Sequence, residues 1–374
     1  MSAASLPTTM RAAVLHTVGE PLVVQDVAIS QPGPHEVLVQ VKASGICHSD
    51  LHVCEHDTGH YPAPLLPGHE VAGVIVALGD AVAGLSVGDH IVACEVAHCG
   101  HCIDCISGRP FMCPNVHETE RAEGATPRVS IGNTEVTAFA HIGGFAEYAL
   151  MHENSVVVIP DEMPFDRAAI LGCGVITGAG AAINAASIRV GDTVAVIGCG
   201  GVGLSVIQGA ILAGARRVIA IDVHDNKLEL ARTMGATDVI NSAEVDPVER
   251  VRELTSGLGV LYSFEVAGLK RTALQALEMI RPSGTAFLIG IQAPDTVLEI
   301  NPLVDLLFSK RNLRTVYMGN SNFKHDIPLL AEMYLQGRLN LDDMVSDRIA
   351  LDDVQQGLEN LRIGSAARTV ITTF

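Results

Sequence analysis

A buried-strand pattern, Thr193–Ile197, runs directly into a glycine-rich turn and then into a helical pattern. The turn reads Gly198-Cys-Gly200-Gly201-Val-Gly203, and the apolar run LSVIQGAILAG follows it. Gly198 permits a tight turn, Gly200 lets the backbone approach a pyrophosphate, and Gly203 lets the helix pack closely on the strand. Phosphate groups bind well at the free amides and positive dipole of a helix N-terminus. This turn therefore predicts a parallel α/β sheet that binds a dinucleotide.

An acidic residue follows at the spacing that selects the cofactor. The next strand pattern, RVIAID, ends on Asp222, 19 residues beyond Gly203. A carboxylate there accepts hydrogen bonds from ribose hydroxyls and repels a 2′-phosphate, so we expect NAD rather than NADP. The glycine motif alone could be an ordinary glycine-rich turn, but here the strand, turn, helix, second strand and acid occur together.

The chain around this motif shows two kinds of secondary-structure pattern. From about Thr177 to Met318, strand patterns alternate with helical patterns such as NKLELARTMG and RTALQALEMIRPSG, which predicts a parallel sheet with right-handed crossovers. Before Ile176 the strand-like runs are short and separated by proline and glycine turns, and the chain ends on a strand pattern, ARTVITTF. We expect an α/β fold with a doubly wound Rossmann domain over residues 177–318 and a mainly β domain over residues 1–176 and 319–374.

Composition fits two buried cores. The 374 residues are 48% hydrophobic and 18% charged, and the formal net charge of −18 argues against nucleic acid and against an anionic membrane. Two uncharged stretches, Ala168–Ile188 and Thr193–Ala215, could span a bilayer by length, but their glycine content favours buried segments. The N-terminus has no basic region followed by an apolar core, so we expect no secretory signal and a cytoplasmic location.

The nine cysteines of this chain point to metal sites rather than disulfides. Cys99, Cys102, Cys105 and Cys113 follow the pattern C-x2-C-x2-C-x7-C. Four thiolates this close in sequence can form a tetrahedron around Zn²⁺ with no position left for a substrate. A CxxC redox pair is the alternative, and the third and fourth cysteines argue against it. We predict a structural zinc in this four-cysteine lobe.

Three other stretches carry metal-ligand residue types without specifying a site by themselves. They are GICHSDLH, with Cys47; PGHEVAG, with His69; and LGCG, with Cys173. A buried cysteine is usually a small apolar filler, and a lone histidine is more often structural than a ligand. The stretch from His48 to His60 could also form a histidine-rich metal cluster of its own.

Taken in order along the chain, these motifs resemble those of the zinc-dependent medium-chain alcohol dehydrogenases over essentially the full length. The matching motifs are GICHSDxH, GHExAG, the four-cysteine lobe, the Gly-Cys-Gly around Cys173, and GCGGVG. The resemblance implies a GroES-like catalytic domain, NAD, and two zinc ions per chain, one catalytic and one structural. It makes Cys47, His69 and Cys173 the ligands of the catalytic zinc, with water or substrate in the fourth position.

The resemblance also implies the reaction, a reversible hydride transfer between an alcohol and NAD that gives an aldehyde or ketone. Two thiolates leave Zn²⁺ Lewis-acidic enough to lower the pKa of a bound alcohol, and an alkoxide expels hydride readily. We expect the proton to pass from Ser49 through the nicotinamide ribose to His52 and solvent. Asp50 is expected to orient His69, and Glu70 to approach the metal when ligands exchange.

Further positions follow from the same resemblance. Beyond the glycine turn and Asp222, those expected to contact the cofactor are His48, Thr177, Gly201, Val202, Lys227 and Arg368. Those expected to line the substrate pocket are Glu95, Glu118, Phe139, Ala140, Ile291 and Tyr317. Acids stand at two positions where the family usually has aromatic or large aliphatic residues. They favour a hydroxylated or cationic substrate, unless local loop shifts turn both acids to solvent.

Other functions compete with this reading. A thiol–formaldehyde adduct dehydrogenase uses the same scaffold, but its pocket needs a basic anchor where this chain has acids. A zinc-free reductase would leave Cys47, His69 and Cys173 without a purpose, and a binding or redox protein built on the four-cysteine lobe would also leave the nucleotide turn unused. The long stretch between Cys113 and Gly143, which shorter tetrameric relatives lack, implies a homodimer with a small-molecule substrate as its other partner.

We expect Asp222→Gly to narrow the preference for NAD over NADP, because the variant lacks the carboxylate that repels the 2′-phosphate. Steady-state kcat/KM values for the two cofactors, measured for the wild type and the variant, test this. Wild-type protein that used NADP as well as NAD would contradict the role given to Asp222.

Overall fold

The computed structural model describes residues 6–57, 59–364 and 367–374. The interpretation of the N-terminus lies partly outside these residues, because residues 1–5 are not described. The chain forms two compact units, one made of Met1–Cys173 with Asn322–Phe374 and the other of Gly174–Ser321. The domain boundaries predicted from sequence texture, 176/177 and 318/319, lie three residues from these.

Strands are numbered along the chain. They are β1 (Thr9–Val14), β2 (Val23–Ile29), β3 (Glu36–Ile46), β4 (Leu65–Leu66), β5 (Glu70–Leu78), β6 (His90–Ala93), β7 (Val129–Ile131), β8 (Thr134–Glu135), β9 (Thr137–Ala138), β10 (Tyr148–His152), β11 (Val156–Val158), β12 (Thr193–Ile197), β13 (Arg217–Asp222), β14 (Asp238–Asn241), β15 (Val260–Glu265), β16 (Ile280–Leu288), β17 (Asn312–Thr315), β18 (Val345–Ala350) and β19 (Arg368–Thr373).

The α-helices are numbered in the same way. They are α1 (His48–Glu55), α2 (Ile103–Ile106), α3 (Phe165–Ala169), α4 (Gly174–Gly180), α5 (Gly201–Leu212), α6 (Asp225–Thr233), α7 (Pro247–Leu254), α8 (Lys270–Glu278), α9 (Phe323–Leu335) and α10 (Val354–Arg362). Short 3₁₀ turns and two π-helical segments, Ala181–Ala185 and Pro302–Phe308, connect several of them.

The Gly174–Ser321 unit is a doubly wound α/β domain. Its parallel sheet has the order β14-β13-β12-β15-β16-β17, which is the 3-2-1-4-5-6 order of dinucleotide-binding folds. The central strand β12 is apolar and buried after its first residue, as expected of a strand covered on both faces. The expected Rossmann architecture is confirmed for this unit.

One helix prediction in this unit was wrong at its end. The pattern RTALQALEMIRPSG predicted a helix through Gly284, but α8 ends at Glu278 and β16 begins at Ile280. Pro282 cannot donate the hydrogen bond that a helix interior requires. Ser283 takes φ of +69°, which breaks the helical path and fits the irregular register between β15 and β16.

The other unit is mainly β. One sheet has the order β11-β6-β5-β3-β19-β18, with β10 also paired to β3, and a second has the order β1-β2-β7-β8. The long central strand β3 is buried along most of its length. It pairs with β5 on one side and with the C-terminal strand β19 on the other. Two ends of these strands lie at the candidate site: Cys47 directly follows β3, and His69 directly precedes β5.

An ion cluster within the β-rich unit holds the segment that follows the four-cysteine lobe. The Glu36 carboxylate, at the start of β3, accepts hydrogen bonds from Arg121 Nε at 3.0 Å, Arg128 Nε at 2.7 Å and the Gly33 amide at 2.8 Å. Burial alone would raise the pKa of Glu36, but Arg121, the Gly33 amide and Arg128 lower that pKa to about 2. The cluster therefore fastens the 121–128 segment to the central sheet.

Among the described residues, no single helix is long and apolar enough to cross a membrane. One bent pair, Phe165–Gly172 and Gly174–Ala185, meets the requirement by length and composition only when its two helices are taken together.

We expect Glu36→Gln to lower the free energy of unfolding by about 3 kcal/mol at neutral pH. The folded-state pKa of Glu36 lies below its ordinary value of 4.5, so this stabilisation is present above that value and is lost as the pH falls toward 2. Denaturant unfolding of the wild type and the variant, compared from about pH 7 down to about pH 3, measures it. Glu135→Gln, at an exposed residue of β8, is the control. A difference that did not shrink with falling pH would contradict this account.

Candidate functional site

A buried carboxylate, Asp50, organises the candidate catalytic group. Asp50 is the third residue of α1, and its Oδ2 accepts the backbone N–H of the N-cap residue Cys47 at 3.0 Å, as an acid at this position does in a capping box. Its Oδ1 accepts hydrogen bonds from the Gly68 amide and from His69 Nδ1, both at 2.9 Å. Gly68 takes φ of +93°, a conformation that favours glycine. One side chain thus joins the start of α1 to the start of β5.

The tautomer of His69 follows from this contact. Nδ1 donates to Asp50, so Nε2 is the free ring nitrogen, and it has no hydrogen-bond partner among the described residues although it is buried. Burial favours the neutral ring, but Asp50 outweighs it and raises the pKa of His69. The environment of Nε2 therefore favours a positive charge there, which a bound cation also supplies.

Two thiols complete the group. The ligand atoms of Cys47, His69, Glu70 and Cys173 lie within 4.8 Å of one another, and all four residues are buried. A hydrogen bond with Cys173 lowers the pKa of Cys47 well below its ordinary value, and the same bond raises the pKa of Cys173. Two thiols and an imidazole nitrogen are ligands that Zn²⁺ prefers, and three protein ligands leave one coordination position open. Cys47, His69 and Cys173 could therefore hold a catalytic zinc.

Glu70 has a different partner. Its carboxylate forms a buried ion pair with Arg368, the first residue of β19. Burial raises the pKa of Glu70 to about 7, although the positive charge of Arg368 opposes this increase. Arg368 was expected to contact the cofactor pyrophosphate; in the structure its guanidinium donates to Glu70. Burial would lower the pKa of Arg368, but Glu70, followed by the thiols of Cys47 and Cys173, raises it.

The four-cysteine lobe has the dimensions of a closed metal site. Six pairs of sulfurs are possible, and four of them lie at hydrogen-bond distances: 3.4, 3.7, 3.8 and 3.9 Å. A tetrahedron with Zn–S bonds of about 2.3 Å requires sulfurs about 3.8 Å apart. Burial raises the pKa of Cys99, but the His101 and Cys102 amides outweigh it and lower that pKa to about 6. Cys99, Cys102, Cys105 and Cys113 could hold a structural zinc.

The glycine turn of the Gly174–Ser321 unit has room for a phosphate. Gly198 takes φ of +98°, and a Cβ placed on Gly200 would have no neighbour within 4 Å. A Cβ on Gly203 would collide with the Gly198 carbonyl oxygen, so the start of α5 lies directly on the turn. The helix begins at Gly201 without a side-chain cap, which leaves its first amides available to a ligand.

Asp222 lies at the C-terminal end of β13, as the sequence predicts for a residue that contacts the ribose. Its Oδ2 accepts the Cys199 amide at 2.8 Å, and its Oδ1 accepts the amides of Val223 at 2.8 Å and His224 at 3.0 Å. The carboxylate is thereby fixed beside the glycine turn. These contacts fit NAD at this edge of the sheet.

The other predicted cofactor residues are distributed over both units. His48 is exposed at the start of α1, Val202 lies in the first turn of α5, and Lys227 lies in α6. Thr177 is buried in α4, where its hydroxyl donates to Met318 Sδ at 3.4 Å.

The two predicted relay residues lie on one helix. Ser49 Oγ is 4.0 Å from Cys47 Sγ, and His52 follows three residues later, one turn along the same face of α1. His52 is partly exposed, and its ring packs edge-on against His56 with 6.3 Å between centroids. The pair therefore leads from the buried thiol toward the surface of this unit.

Two predicted pocket residues, Phe139 and Glu95, lie beside His69. The Phe139 ring meets the His69 ring edge-on at 5.2 Å, and the buried Ala140 follows it with φ of +54°. Glu95 Oε2 is 3.9 Å from His69 Nε2. Tyr61, which the sequence analysis missed, packs edge-on against Phe139 at 5.0 Å. No motif includes Tyr61, so only the folded chain identifies it.

Glu118 was also expected to line the substrate pocket. It lies in a 3₁₀ turn, Val116–Thr119, and its carboxylate accepts a hydrogen bond from His101 at 2.7 Å. It also lines a separate cavity of about 600 Å³ beside Glu36 and Arg121. Ile291 and Tyr317 are exposed residues of the Gly174–Ser321 unit.

Comparison with known proteins gives matches over both units. Residues 33–161 match the model of the alcohol dehydrogenase GroES-like domain, and residues 201–333 match that of the zinc-binding dehydrogenases. An S-(hydroxymethyl)glutathione dehydrogenase of Synechocystis sp. is 35% identical, over 96% of this chain and 99% of the relative. One from Saccharomyces cerevisiae is 33% identical, over 99% and 98%. The crystal structure of benzyl alcohol dehydrogenase from Acinetobacter calcoaceticus has a TM-score of 0.91 at 33% identity, covering 98% of this chain and 99% of that one.

We expect two zinc ions per chain, with different consequences when each site is broken. Cys47→Ala should remove one zinc and leave the fold and dinucleotide binding intact, because that group lies on an already packed sheet. Cys99→Ala should remove the other zinc and lower the melting temperature by several degrees, because a structural zinc contributes directly to folding. Elemental analysis, calorimetry and NADH titration of both variants test this. Equal losses of stability in the two variants would contradict the division of roles.

Proposed function

This chain belongs to the zinc-dependent medium-chain alcohol dehydrogenase family, and from that premise we propose that it oxidises alcohols to aldehydes or ketones with NAD as the hydride acceptor. The observation that carries the proposal is the buried His69 Nε2, which has no hydrogen-bond partner in the described part of the chain and lies close to two thiols. A three-ligand group of this kind fits a catalytic zinc with an exchangeable fourth position.

Each of the nearby side chains has a distinct role in this proposal. Zn²⁺, when held by Cys47, His69 and Cys173, would supply a Lewis acid for the substrate oxygen. Asp50 keeps the proton of His69 on Nδ1, so that Nε2 remains a ligand. Ser49 accepts the proton of the substrate hydroxyl, and His52 releases it toward solvent.

Arg368 and Glu70 have a supporting role. Their ion pair is buried next to the two thiols, so the positive guanidinium balances part of the negative charge that collects there. A buried charge without a partner is costly. Removal of either side chain would therefore leave the other as an uncompensated buried charge. Glu70 is held near the ligand group, where it is available when ligands exchange.

A second candidate function is the oxidation of an S-(hydroxymethyl) thiol adduct. Two relatives that match nearly the whole chain bear the name S-(hydroxymethyl)glutathione dehydrogenase, which favours it. Glutathione carries carboxylates, and the carboxylate of Glu95 next to His69 would repel an anionic substrate. Plain, hydroxylated or amine-bearing alcohols therefore remain our first proposal.

An NADH absorbance assay separates the two. We expect NAD-dependent oxidation of benzyl alcohol, diols and amino alcohols with kcat/KM at least about tenfold above that for glutathione mixed with formaldehyde, since like charges disfavour the anionic adduct. Cys47→Ala is the inactive control. A higher kcat/KM for the glutathione adduct than for these alcohols would make oxidation of the adduct the favoured function.

We also propose that the protein is a cytoplasmic homodimer. In the described residues, β17 pairs with β16 on one side only, and the exposed apolar side chains of Leu303, Val304, Leu307 and Phe308 precede it. An open strand edge beside an apolar patch is a site for pairing with another chain. A second copy of the same edge satisfies both features, and free thiols at two metal groups suit a reducing compartment.

Light scattering should report a dimer, and Leu307→Asp combined with Phe308→Asp should give monomers, because two charges would be buried in the apolar contact. Val190→Asp, at an isolated exposed valine, is the matched control. A tetramer, or a dimer that survives the double substitution, would overturn the proposed interface.

A further inference from the structure

Glu95 is a carboxylate without a protein donor at the centre of the candidate site. Its Oε2 lies 3.9 Å from His69 Nε2, and its side chain retains only 17% of its exposure. No hydrogen bond to its carboxylate is recorded among the described residues, whereas Asp50, Glu70 and Glu36 each have a charged or N–H partner. A largely buried carboxylate with no donor is unfavourable by itself.

The surroundings of Glu95 combine the His69 imidazole with aromatic rings. Phe139 lies edge-on to His69, and Tyr61 lies edge-on to Phe139. Burial raises the pKa of the Tyr61 hydroxyl, and the nearby negative charge of Glu95 raises it further. Arg368, the cation of this group, is already paired with Glu70. Aromatic rings next to an acid are the environment that binds ammonium groups and hydrogen-bond donors in proteins.

We propose that Glu95 is a specificity-determining residue that accepts a hydrogen bond from a second polar group of the substrate, an ammonium or a hydroxyl near the reacting hydroxyl. This inference rests on the proposed alcohol dehydrogenase function and names its substrate class, short alcohols that carry an additional donor. Because Glu95 Oε2 lies only 3.9 Å from His69 Nε2, we expect that donor to be two or three carbons from the reacting hydroxyl. A substrate carboxylate at that place is repelled.

Four three-carbon alcohols provide the kinetic test: 3-amino-1-propanol, 1,3-propanediol, 1-propanol and 3-hydroxypropionate. The wild type should prefer the amino alcohol and the diol over 1-propanol by about 10- to 100-fold in kcat/KM, the size expected of a hydrogen bond to a buried charge. Glu95→Gln should abolish the preference for the amine but keep part of that for the diol, because an amide still accepts a hydrogen bond. Glu95→Phe should reverse the order and improve turnover of benzyl alcohol.

Glu118→Gln is the matched control. It removes a carboxylate from the position that sequence counting treats as equivalent, but the structure places Glu118 on His101, outside this group. The preference should be unchanged in this variant. An equal change in the Glu95 and Glu118 variants, or an unchanged ratio in Glu95→Gln, would overturn the proposal.

A binding measurement separates this inference from the proposed function. Propionamide and 3-aminopropionamide resemble the aldehyde products but do not react, and calorimetry with the NADH-bound enzyme gives their dissociation constants. The amine should improve binding about tenfold or more in the wild type and not in Glu95→Gln. If no alcohol is oxidised but this difference is found, the proposed function fails and the role of Glu95 stands.

The alternative role for Glu95 is that of a metal ligand, because its carboxylate lies close to His69 Nε2. The visible spectrum of the cobalt-substituted enzyme, recorded without substrate, reports the ligands of the metal. We expect the wild-type and Glu95→Gln spectra to coincide, since the proposed partner of the carboxylate is the substrate and not the metal. A shifted spectrum would overturn the proposal and make Glu95 a ligand.

Discussion

The catalytic half of this protein depends on three hydrogen bonds to the carboxylate of Asp50. They come from the Cys47 amide, the Gly68 amide and His69 Nδ1. A carboxylate removed from water costs several kcal/mol unless donors replace the lost hydration, and these three do so. The same bonds fix how far the start of α1 lies from the start of β5. A candidate ligand sulfur and a candidate ligand nitrogen are therefore positioned by one buried acid.

The third candidate ligand, Cys173, is positioned by close packing instead. Cys173 follows a 3₁₀ turn, Ile170–Gly172, and a Cβ on Gly172 would collide with the Ala93 carbonyl oxygen at the end of β6. Only a glycine lets the turn approach the sheet so closely. The group thus combines two independent constraints, a polar one for Cys47 and His69 and a steric one for Cys173. A pre-formed arrangement of this kind loses little entropy when a metal binds.

Local patterns carried most of what the sequence could predict. The sulfurs of Cys99 and Cys113 meet within a segment of 15 residues, and the glycine turn is continuous with the strand and helix that define it, so spacing alone constrained both. The position of the Glu118 side chain could not be predicted from its spacing to Cys113, because one 3₁₀ turn decides where that side chain points. The end of α8 depended on Pro282 and on pairing with β15, which the helical periodicity conceals.

Ion pairs between residues far apart in the chain could not be predicted from the sequence for a related reason. Glu36 is 85 residues from Arg121, and Glu70 is 298 residues from Arg368, and no spacing rule relates charges so far apart. Only the folded sheet brings them together. Tyr61 and Glu95 belong to the same class: their significance lies in what faces them across the site, namely Phe139 and His69.

The position of β19 has a consequence for synthesis of the chain on the ribosome. This strand lies between β3 and β18, pairs with Ile46 immediately before the ligand Cys47, and supplies the arginine that neutralises Glu70. The Gly174–Ser321 unit is continuous and is complete as soon as Ser321 has emerged. The sheet around Cys47, in contrast, cannot close until β19 has been translated. Vectorial translation therefore gives the Gly174–Ser321 unit a head start over the sheet that surrounds Cys47.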